Sequence, residues 1–313
     1  MATIQGLHHV TAIASDAQAN YDFYSGLLGL RMVKKTVNFD DPGSYHFYFG
    51  DEQGTPGTIM TFFIWTGAKR GRSGTGQASF TSFSVPTDSI EFWKDRLEAN
   101  GTLIDAQNVR FGEPVIAFSD PDGLKLELIG SGIDVREGRG GSGVPAEHSI
   151  RGFHSVTLCL NEVEDTGSAL VDAMGFTKTQ ESADRVRYES GAAVAGGIVD
   201  LTLGAESFSA RGRAGAGAVH HVAFRTPDDV QQGDIRESLI AKGFQVSPIM
   251  DRTYFYSIYF REPGGVLFEI ATDPPGFILD ESLPALGSGL KLPGWLEARR
   301  DEIESILPGL RTN

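Results

Sequence analysis

Cysteine is nearly absent from the 313-residue chain, in which Cys159 is the single one. An intramolecular disulfide is therefore excluded, and we expect a reducing compartment. Positive charge is also in short supply, because 27 Lys and Arg residues stand against 41 Asp and Glu residues, which gives a formal net charge of −14 at pH 7. This imbalance argues against nucleic acid or an anionic membrane surface as a partner.

Targeting and membrane signals are missing as well. The first residues, MATIQGLHHV, have no basic segment followed by an apolar core, so no secretory signal is predicted. No apolar run approaches the length of a membrane span. A content of 40% hydrophobic and 22% charged residues is typical of a globular chain. We therefore expect a cytoplasmic protein without membrane partners.

One pattern occurs four times along the chain. Each repeat begins with an apolar strand, continues with an amphipathic helix that ends near a glycine, and closes with further strands. The first strands read LHHVTAI, SFTSFSVP, FHSVTLCL and VHHVAFRT. Aligned at His9, Thr81, His154 and His221, they are 72, 73 and 67 residues apart. This spacing predicts an α+β fold of four βαβββ modules.

The modules and the segments between them define the predicted organisation. The modules are predicted over residues 1–66, 78–130, 150–208 and 218–273. The Gly-rich segments between modules are predicted linkers, at 67–77, 136–149 and 209–218. We predict an N-terminal domain over residues 1–135, a domain boundary at 136–149 and a C-terminal domain over residues 150–273. Residues 274–313 form a tail with a helix.

Histidine pairs open two of the four first strands. His8 and His9 stand in LHHVTAI, and His220 and His221 stand in VHHVAFRT. Side chains alternate between the faces of a strand, so His9 and His221 occupy matching positions. In the last strand, GVLFEIA, Glu269 interrupts an apolar run, where a carboxylate is costly unless it is paired or bound to a metal. Two imidazoles and one carboxylate leave coordination positions open, as in non-haem Fe(II) oxygenases.

A second histidine competes for the place of the first ligand. His154 is the counterpart of His9 in the third module, and the choice depends on whether module four packs with module one or with module three. The histidine pair shared by modules one and four favours His9. In the second module Glu127 occupies the place of Glu269, with Thr81 on the first strand. It is either a former ligand position or a solvated strand residue, and we favour the solvated strand residue.

The repeated unit, with His on first strands and Glu on a last strand, resembles the vicinal oxygen chelate superfamily. This superfamily includes glyoxalase I, extradiol ring-cleaving dioxygenases, fosfomycin-resistance proteins and bleomycin-binding proteins. Several stretches are similar to its hydroquinone-cleaving dioxygenase branch: GLHHVTAI, KKTVNFDDPGSYHFYFGD, AVHHVAFRT, DRTYFYSIYFREPGGVLFEIATD and LPGWLEARRDEIESILPGL. The resemblance covers nearly the whole chain and implies two cup-shaped mixed-sheet domains.

The resemblance also implies a metal centre and its neighbours. One Fe(II) would be bound by His9, His221 and Glu269, and this ligand set suits Mn(II) as well. Arg252 would supply a fixed positive charge for an anionic substrate. Tyr259 would donate a hydrogen bond or a proton.

Four more side chains are candidates around the same centre. His8 and His220 are candidate proton carriers, because imidazole titrates near neutral pH. Thr11 shares a strand face with His9 and is expected to line the same pocket. His46, in SYHFYFG, is interpreted as a core histidine or a neighbour of the metal ligands.

These expectations favour an Fe(II)-dependent ring-cleaving dioxygenase that inserts both atoms of O₂ into a hydroquinone-type or catechol-type ring. One alternative is a metal-dependent lyase or isomerase of the glyoxalase type, which needs a second carboxylate that the strand TIMTFFIW does not offer. Another is a non-catalytic protein that binds a small molecule and lacks the metal ligands. The expected partners are a small aromatic substrate and O₂, and a homo-oligomer is left open.

Overall fold

The computed structural model describes residues 4–191, 196–204 and 210–312. The described residues form sixteen strands, four in each module. Module one contains β1 (Leu7–Ala14), β2 (Arg31–Asn38), β3 (Asp41–Gly50) and β4 (Ile59–Ile64). Module two contains β5 (Gln77–Pro86), β6 (Ile104–Arg110), β7 (Glu113–Ser119) and β8 (Lys125–Ser131). Module three contains β9 (Gly152–Leu160), β10 (Thr177–Glu181), β11 (Arg185–Glu189) and β12 (Ile198–Leu203). Module four contains β13 (Val219–Thr226), β14 (Met250–Asp251), β15 (Phe255–Arg261) and β16 (Leu267–Pro275).

A helix follows the first strand of every module. These helices are α1 (Ala17–Tyr21), α2 (Ile90–Ala99), α3 (Glu164–Met174) and α4 (Asp229–Ala241), and the tail adds α5 (Arg300–Ile306). A π-helical segment, Asp22–Leu27, follows α1 directly. Short 3₁₀ turns lie at Thr87–Ser89, Ala146–His148, Phe277–Leu279, Leu283–Ala285 and Glu297–Arg299. The four βαβββ modules are thereby confirmed. Among the described residues, every helix is too short or too polar to cross a bilayer.

Local sequence explains where the helices begin and end. The Asp16 carboxylate accepts the backbone N–H of Ala19 at the start of α1, and Asp228 accepts that of Gln231 at the start of α4. Such caps satisfy N–H groups that have no partner inside a helix. Gly101, which follows α2, has a φ of 76°, a conformation that glycine adopts without strain.

The strands form two eight-stranded mixed sheets. The first has the order β14-β15-β16-β13-β1-β4-β3-β2, and the second has the order β10-β11-β12-β9-β5-β8-β7-β6. Module one therefore shares a sheet with module four, and module two shares a sheet with module three. Each sheet draws strands from both predicted domains, whose bounds at 1–135 and 150–273 stay predictions. The predicted module end at 208 and segment start at 209 lie outside the described residues.

Alternation along the central strands separates the two faces of the first sheet. On β13 and β16, the rings of Phe224 and Phe268 lie 4.9 Å apart and belong to the apolar core. Ile235 and Leu239 from α4 are part of the same core. Because successive side chains point to opposite faces, the polar residues between them point into the cup.

Two Gly-rich segments that were predicted to be linkers are paired with each other. Arg72 and Arg213 exchange backbone hydrogen bonds of 2.9 and 2.8 Å. A Cβ atom on Gly74 would lie 2.3 Å from the carbonyl oxygen of Ala210. The linker interpretation is therefore wrong for these described stretches, because glycine here permits close backbone approach.

The tail runs along β2, the outer strand of the first sheet. The ammonium group of Lys34 is fully buried and donates to the carboxylates of Asp280 and Glu281, at 2.5 Å each. The backbone N–H of Lys291 donates to the carbonyl of Lys35 at 2.9 Å. These contacts cover a strand edge that would otherwise be open to pairing with another chain.

Replacing Lys34 by Met should lower the free energy of unfolding by about 3 kcal/mol, because Glu281 would stay buried without its cation. Urea unfolding followed by circular dichroism measures the change. The double variant K34M/E281Q should recover part of the loss, since it removes the unpaired charge. Wild-type stability of K34M would show that the ion pair does not fasten the tail.

Candidate metal centre and active-site pocket

A row of aligned positions crosses four neighbouring strands on the inside of the first sheet. Tyr259 on β15 pairs with Glu269 on β16, and Glu269 pairs with Ala223 on β13. Ala223 in turn pairs with His9 on β1. His221 precedes Ala223 by two residues and therefore shares its face. The small side chain of Ala223 leaves space for the flanking imidazole and carboxylate to meet.

Three side chains converge at this row, and we call His9, His221 and Glu269 the triad. The Nε2 atoms of His9 and His221 are 3.2 Å apart. Oε2 of Glu269 lies 3.4 Å from Nε2 of His9 and 3.0 Å from Nε2 of His221. All three residues are buried, and their ligand atoms are close enough together to hold one metal ion.

The paired histidines in the sequence now have a structural explanation. Nδ1 of His8 lies 2.9 Å from Nδ1 of His9, and Nδ1 of His220 lies 2.8 Å from Nδ1 of His221. One ring nitrogen of each triad histidine is thereby engaged by its neighbour, and the other is directed at the triad. Such outer contacts fix the orientation of metal-binding imidazoles.

The carboxylate of Glu269 is completely buried. The Ser257 hydroxyl donates to its Oε1 at 2.5 Å, whereas Oε2 receives no well-aligned hydrogen bond from the described residues. Burial alone would raise its pKa, but the facing imidazoles of His9 and His221 hold the pKa of Glu269 well below its usual range. An ionised carboxylate with one oxygen free of hydrogen bonds, facing two imidazoles, is suited to a cation.

The donor set fits a divalent transition metal. Ligands held at about 2.1 Å and at right angles around a metal are separated by about 3 Å, which matches the spacing within the triad. Two imidazoles and one carboxylate on one side of an ion leave open positions for exogenous ligands.

A cavity of about 330 Å³ opens beside the triad. Its wall is largely aromatic and includes Phe39, His46, Tyr48, Phe63, Trp65 and Phe255. Polar side chains and one further apolar one complete it: Asn38, Asp40, His220, Arg252, Tyr259 and Leu267. A cavity of about 150 Å³ suffices for benzene, so this one accommodates a single substituted aromatic ring.

Arg252 and Tyr259 form one unit at the side of the cavity. Nε of Arg252 donates to the Tyr259 hydroxyl at 3.2 Å, so the tyrosine proton can be donated to a pocket ligand. Burial and then the charge of Glu269 raise the pKa of Tyr259 above its usual value, which keeps it a phenol. Burial alone would lower the pKa of Arg252, but its contacts with Tyr259 and Asp40 hold that pKa above the usual value.

Comparison with known proteins decides the family. Residues 6–128 and 151–270 match the family model described as the Glyoxalase/Bleomycin resistance protein/Dioxygenase superfamily. The chain belongs to this superfamily. The resemblance inferred from the sequence is thereby confirmed.

Several relatives are similar to this chain over nearly its whole length. A Bacillus subtilis protein named "Putative ring-cleaving dioxygenase MhqE" is 47% identical, over 98% of this chain and 99% of the relative. The chlorohydroquinone/hydroquinone 1,2-dioxygenase of Sphingobium indicum is 35% identical, over 96% of this chain and 95% of the relative. A crystal structure of a "putative dioxygenase from Bacillus subtilis subsp. subtilis str. 168" matches with a TM-score of 0.93 and 44% identity, covering 100% of this chain and 99% of that one.

The remaining candidate side chains of this superfamily member lie around the triad at different depths. His220 lines the cavity, and burial lowers its pKa to about 4. His8 lies behind His9 with its ring 5.0 Å from that of Phe255, and burial lowers its pKa well below the usual value. Thr11 is fully buried and is not among the residues that line the cavity.

His46 connects the cavity wall to the strand that carries His9. Nε2 of His46 lies 2.6 Å from the Thr61 hydroxyl, which lies 3.2 Å from the Thr11 hydroxyl. The Tyr48 hydroxyl lies 3.0 Å from Nδ1 of His46. Burial lowers the pKa of His46 well below the usual value, so the ring stays neutral within this chain of polar groups.

His154 lies in the second sheet, away from the triad. Its Nδ1 is 3.0 Å from the Ser155 hydroxyl, and its Nε2 is 3.1 Å from a carboxylate oxygen of Glu113. The pairing of module four with module one therefore excludes His154 from the group of side chains that meets at the triad.

Strand register explains why His154 looked equivalent. On β9, Thr157 pairs with the last strand of its module at the position that matches Glu269 on β16. On β13, the residue that pairs with Glu269 is Ala223, so Thr157 and Ala223 are equivalent. Two residues earlier stand Ser155 and His221. The alignment of His154 with His221 is therefore wrong by one residue, which places the two side chains on opposite faces.

The inside of the second sheet is filled by ion pairs. Glu127 is 1% exposed and accepts two hydrogen bonds from Arg110, at 2.6 and 2.8 Å. Asp200 bridges Arg185 and Arg187 at 2.9 to 3.0 Å. The interpretation of Glu127 as a solvated residue is thus wrong, because its charge is balanced inside the cup.

Several cavity residues were missed by sequence reasoning. Asn38 ends β2, Phe39 and Asp40 follow it in the turn toward β3, and behind the cavity wall Ser257 supports Glu269 from β15. The signal for the turn was present, since NFDDP combines residues typical of turns directly after a strand. Turns next to a rigid sheet often carry binding residues.

The burial of His46 predicts a pH-dependent stability for the metal-free protein. His46 stays neutral in the folded state, whereas the unfolded chain takes up a proton below about pH 6.5. Stability should therefore fall as the pH drops below that value, by up to about 1.4 kcal/mol per pH unit for this one group. Urea unfolding of wild type and His46→Gln from about pH 5 to about pH 8 measures it.

The His46→Gln variant should show a shallower loss of stability toward low pH, because glutamine cannot take up the proton. Above about pH 7.5 the two stability curves should run parallel. Equal slopes for both proteins throughout the acidic range would contradict a neutral, buried His46.

Proposed function

We propose that this protein is an Fe(II)-dependent ring-cleaving dioxygenase that inserts both atoms of O₂ into a hydroquinone-type aromatic ring. The observation that carries the proposal is the triad at the base of an aromatic cavity, beside a charged guanidinium and a phenol donor. The names of the full-length relatives support the same activity. We place it in the cytoplasm, which agrees with a chain that has one cysteine.

The triad would hold the metal through Nε2 of His9, Nε2 of His221 and Oε2 of Glu269. When bound, Fe(II) or Mn(II) would bring an electron-rich ring and O₂ together for electron transfer. The protein contributes the preorganisation, because His8, His220 and the Ser257 hydroxyl already fix the triad side chains in place.

Arg252 and Tyr259 would handle the charge and the proton of the substrate. The guanidinium stays charged and partly buried, so it stabilises a phenolate oxygen that develops beside it. The Tyr259 hydroxyl accepts from Arg252 and can donate to a ring oxygen or to an oxygen of the product. His220 lines the cavity as a neutral imidazole, because burial lowers its pKa to about 4, and it is therefore a weak base that orients His221 rather than a carrier of substrate protons.

The aromatic wall would orient the ring and exclude water. Phe63 and Trp65 are stacked with an interplanar angle of 9°, and the ring of Phe255 lies 5.0 Å from that of His9. Stacking and edge contacts hold a flat substrate against these surfaces. Exclusion of water strengthens the interactions with Arg252.

The glyoxalase-type alternative has less support from the site. Thr61 on β4 pairs with Thr11 on β1, as Glu269 on β16 pairs with Ala223 on β13. The module repeat therefore places Thr61, which bonds to the imidazole of His46, where a second carboxylate would be expected.

Substitution of the triad tests the proposal. His221→Ala and Glu269→Gln should lose at least about 90% of the iron retained after anaerobic loading, because each removes one of three ligands. His154→Ala is the matched control, since it removes a buried histidine from the other sheet, and it should retain iron. Metal content and oxygen uptake with hydroquinone are measured together. Retention of iron by the triad variants, or no oxygen uptake by loaded wild type, would contradict the proposal.

Removal of the Tyr259 hydroxyl should slow the reaction. We expect Tyr259→Phe to lower kcat by about 100-fold while the iron content stays unchanged, because the phenol donates to the reacting oxygens and does not bind the metal. Tyr256→Phe is the control, since Tyr256 lies on the same strand and is 41% exposed. An oxygen electrode measures both rates, and equal rates would remove Tyr259 from the mechanism.

A further inference from the structure

The acidic side chain of Asp40 lies at the mouth of the cavity, in contact with the cation of the cavity, Arg252. Oδ2 of Asp40 is 3.5 Å from Nη1 of Arg252. The Asp40 side chain is 74% exposed, whereas that of Arg252 is 19% exposed. The pair therefore spans the boundary between solvent and cavity, with the carboxylate on the outside.

The charges of the cavity give this pair its significance. Arg252 is the one cationic side chain among the described residues that line the cavity. The acidic side chains that line the cavity are those of Asp40 and Glu269. Glu269 is committed to the triad. Asp40 is therefore the acid that offsets Arg252 for a ligand entering from solvent.

The turn that carries Asp40 is held from two sides. The backbone N–H of Asp40 donates to the side-chain oxygen of Asn38 at 3.0 Å, which is a local turn contact. The ring of Phe39 packs edge-to-face against Trp295 of the tail, with ring centres 5.6 Å apart. These contacts keep the Asp40 carboxylate at the mouth.

We propose that Asp40 determines which ring substituents the enzyme accepts, by favouring neutral substituents over a carboxylate. This inference rests on the proposed function, since it names the substrate class of the same cavity. A ring carboxylate at the mouth would meet the Asp40 charge at a few ångströms. It would also compete for the Nη1 atom that Asp40 already contacts. Both effects weaken binding of an acidic ring and leave a neutral ring unaffected.

Binding measurements on the iron-loaded protein under anaerobic conditions test the inference. The probes are 2-methylhydroquinone and 2,5-dihydroxybenzoate, which differ in the charge of one substituent, and calorimetry gives both Kd values. Asp40→Asn should raise the affinity for 2,5-dihydroxybenzoate, relative to that for 2-methylhydroquinone, by about tenfold. In this variant the ring carboxylate binds Arg252 without repulsion from a neighbouring charge. Added salt should shrink the difference between wild type and variant.

The matched control is Asp41→Asn, which removes the same charge one residue further along. Asp41 accepts from the Ser44 hydroxyl at 2.7 Å and does not line the cavity. The Asp41→Asn variant should leave the affinity ratio as in wild type. An equal shift in both variants would show a general field effect and overturn the inference, as would no shift in Asp40→Asn.

The calorimetry also separates this inference from the proposed function. If wild type binds 2-methylhydroquinone but takes up no oxygen with it, the dioxygenase proposal fails while the affinity ratio still decides the role of Asp40. If neither ring binds to the iron-loaded wild type, both proposals are overturned.

Discussion

The antiparallel pairing of β1 with β13 is the constraint on which the site depends. It joins the first module to the fourth and sets His9 opposite Ala223 and Thr11 opposite His221, so that His9 and His221 are diagonal neighbours on the same face. Parallel pairing of β13 with β16 then brings Glu269 into the same row. Register is strict, because a slip of one residue would turn these side chains into the apolar core.

The two cups solve the same physical problem in different ways. Polar side chains on the inner face of a curved sheet need partners, since unpaired burial is costly. In the second cup, arginines and carboxylates satisfy each other and fill the interior, as Arg187 and Asp200 do. In the first cup, two imidazoles and one carboxylate face each other beside an open cavity. The second cup is thus packed with its own side chains, and the first cup keeps space for a ligand.

Sequence periodicity was sufficient for the modules, and it made His9, His221 and Glu269 candidates for one site, because the repeat made them comparable across strands. It could not assign His154, since pairing between modules and single-residue register are properties of the folded sheets. Asp40 was missed because it lies in a turn, where no periodicity indicates direction. Glycines such as Gly74 were misread, because a sequence does not distinguish flexibility from close backbone packing.

The central claim is that strands distant in sequence assemble one divalent-metal site at the triad. Anomalous diffraction at the iron edge, from crystals of protein loaded anaerobically with Fe(II), tests it most directly. One strong peak is expected about 2.1 Å from Nε2 of His9, Nε2 of His221 and Oε2 of Glu269. A peak elsewhere in the molecule, or none at full iron loading, would contradict it.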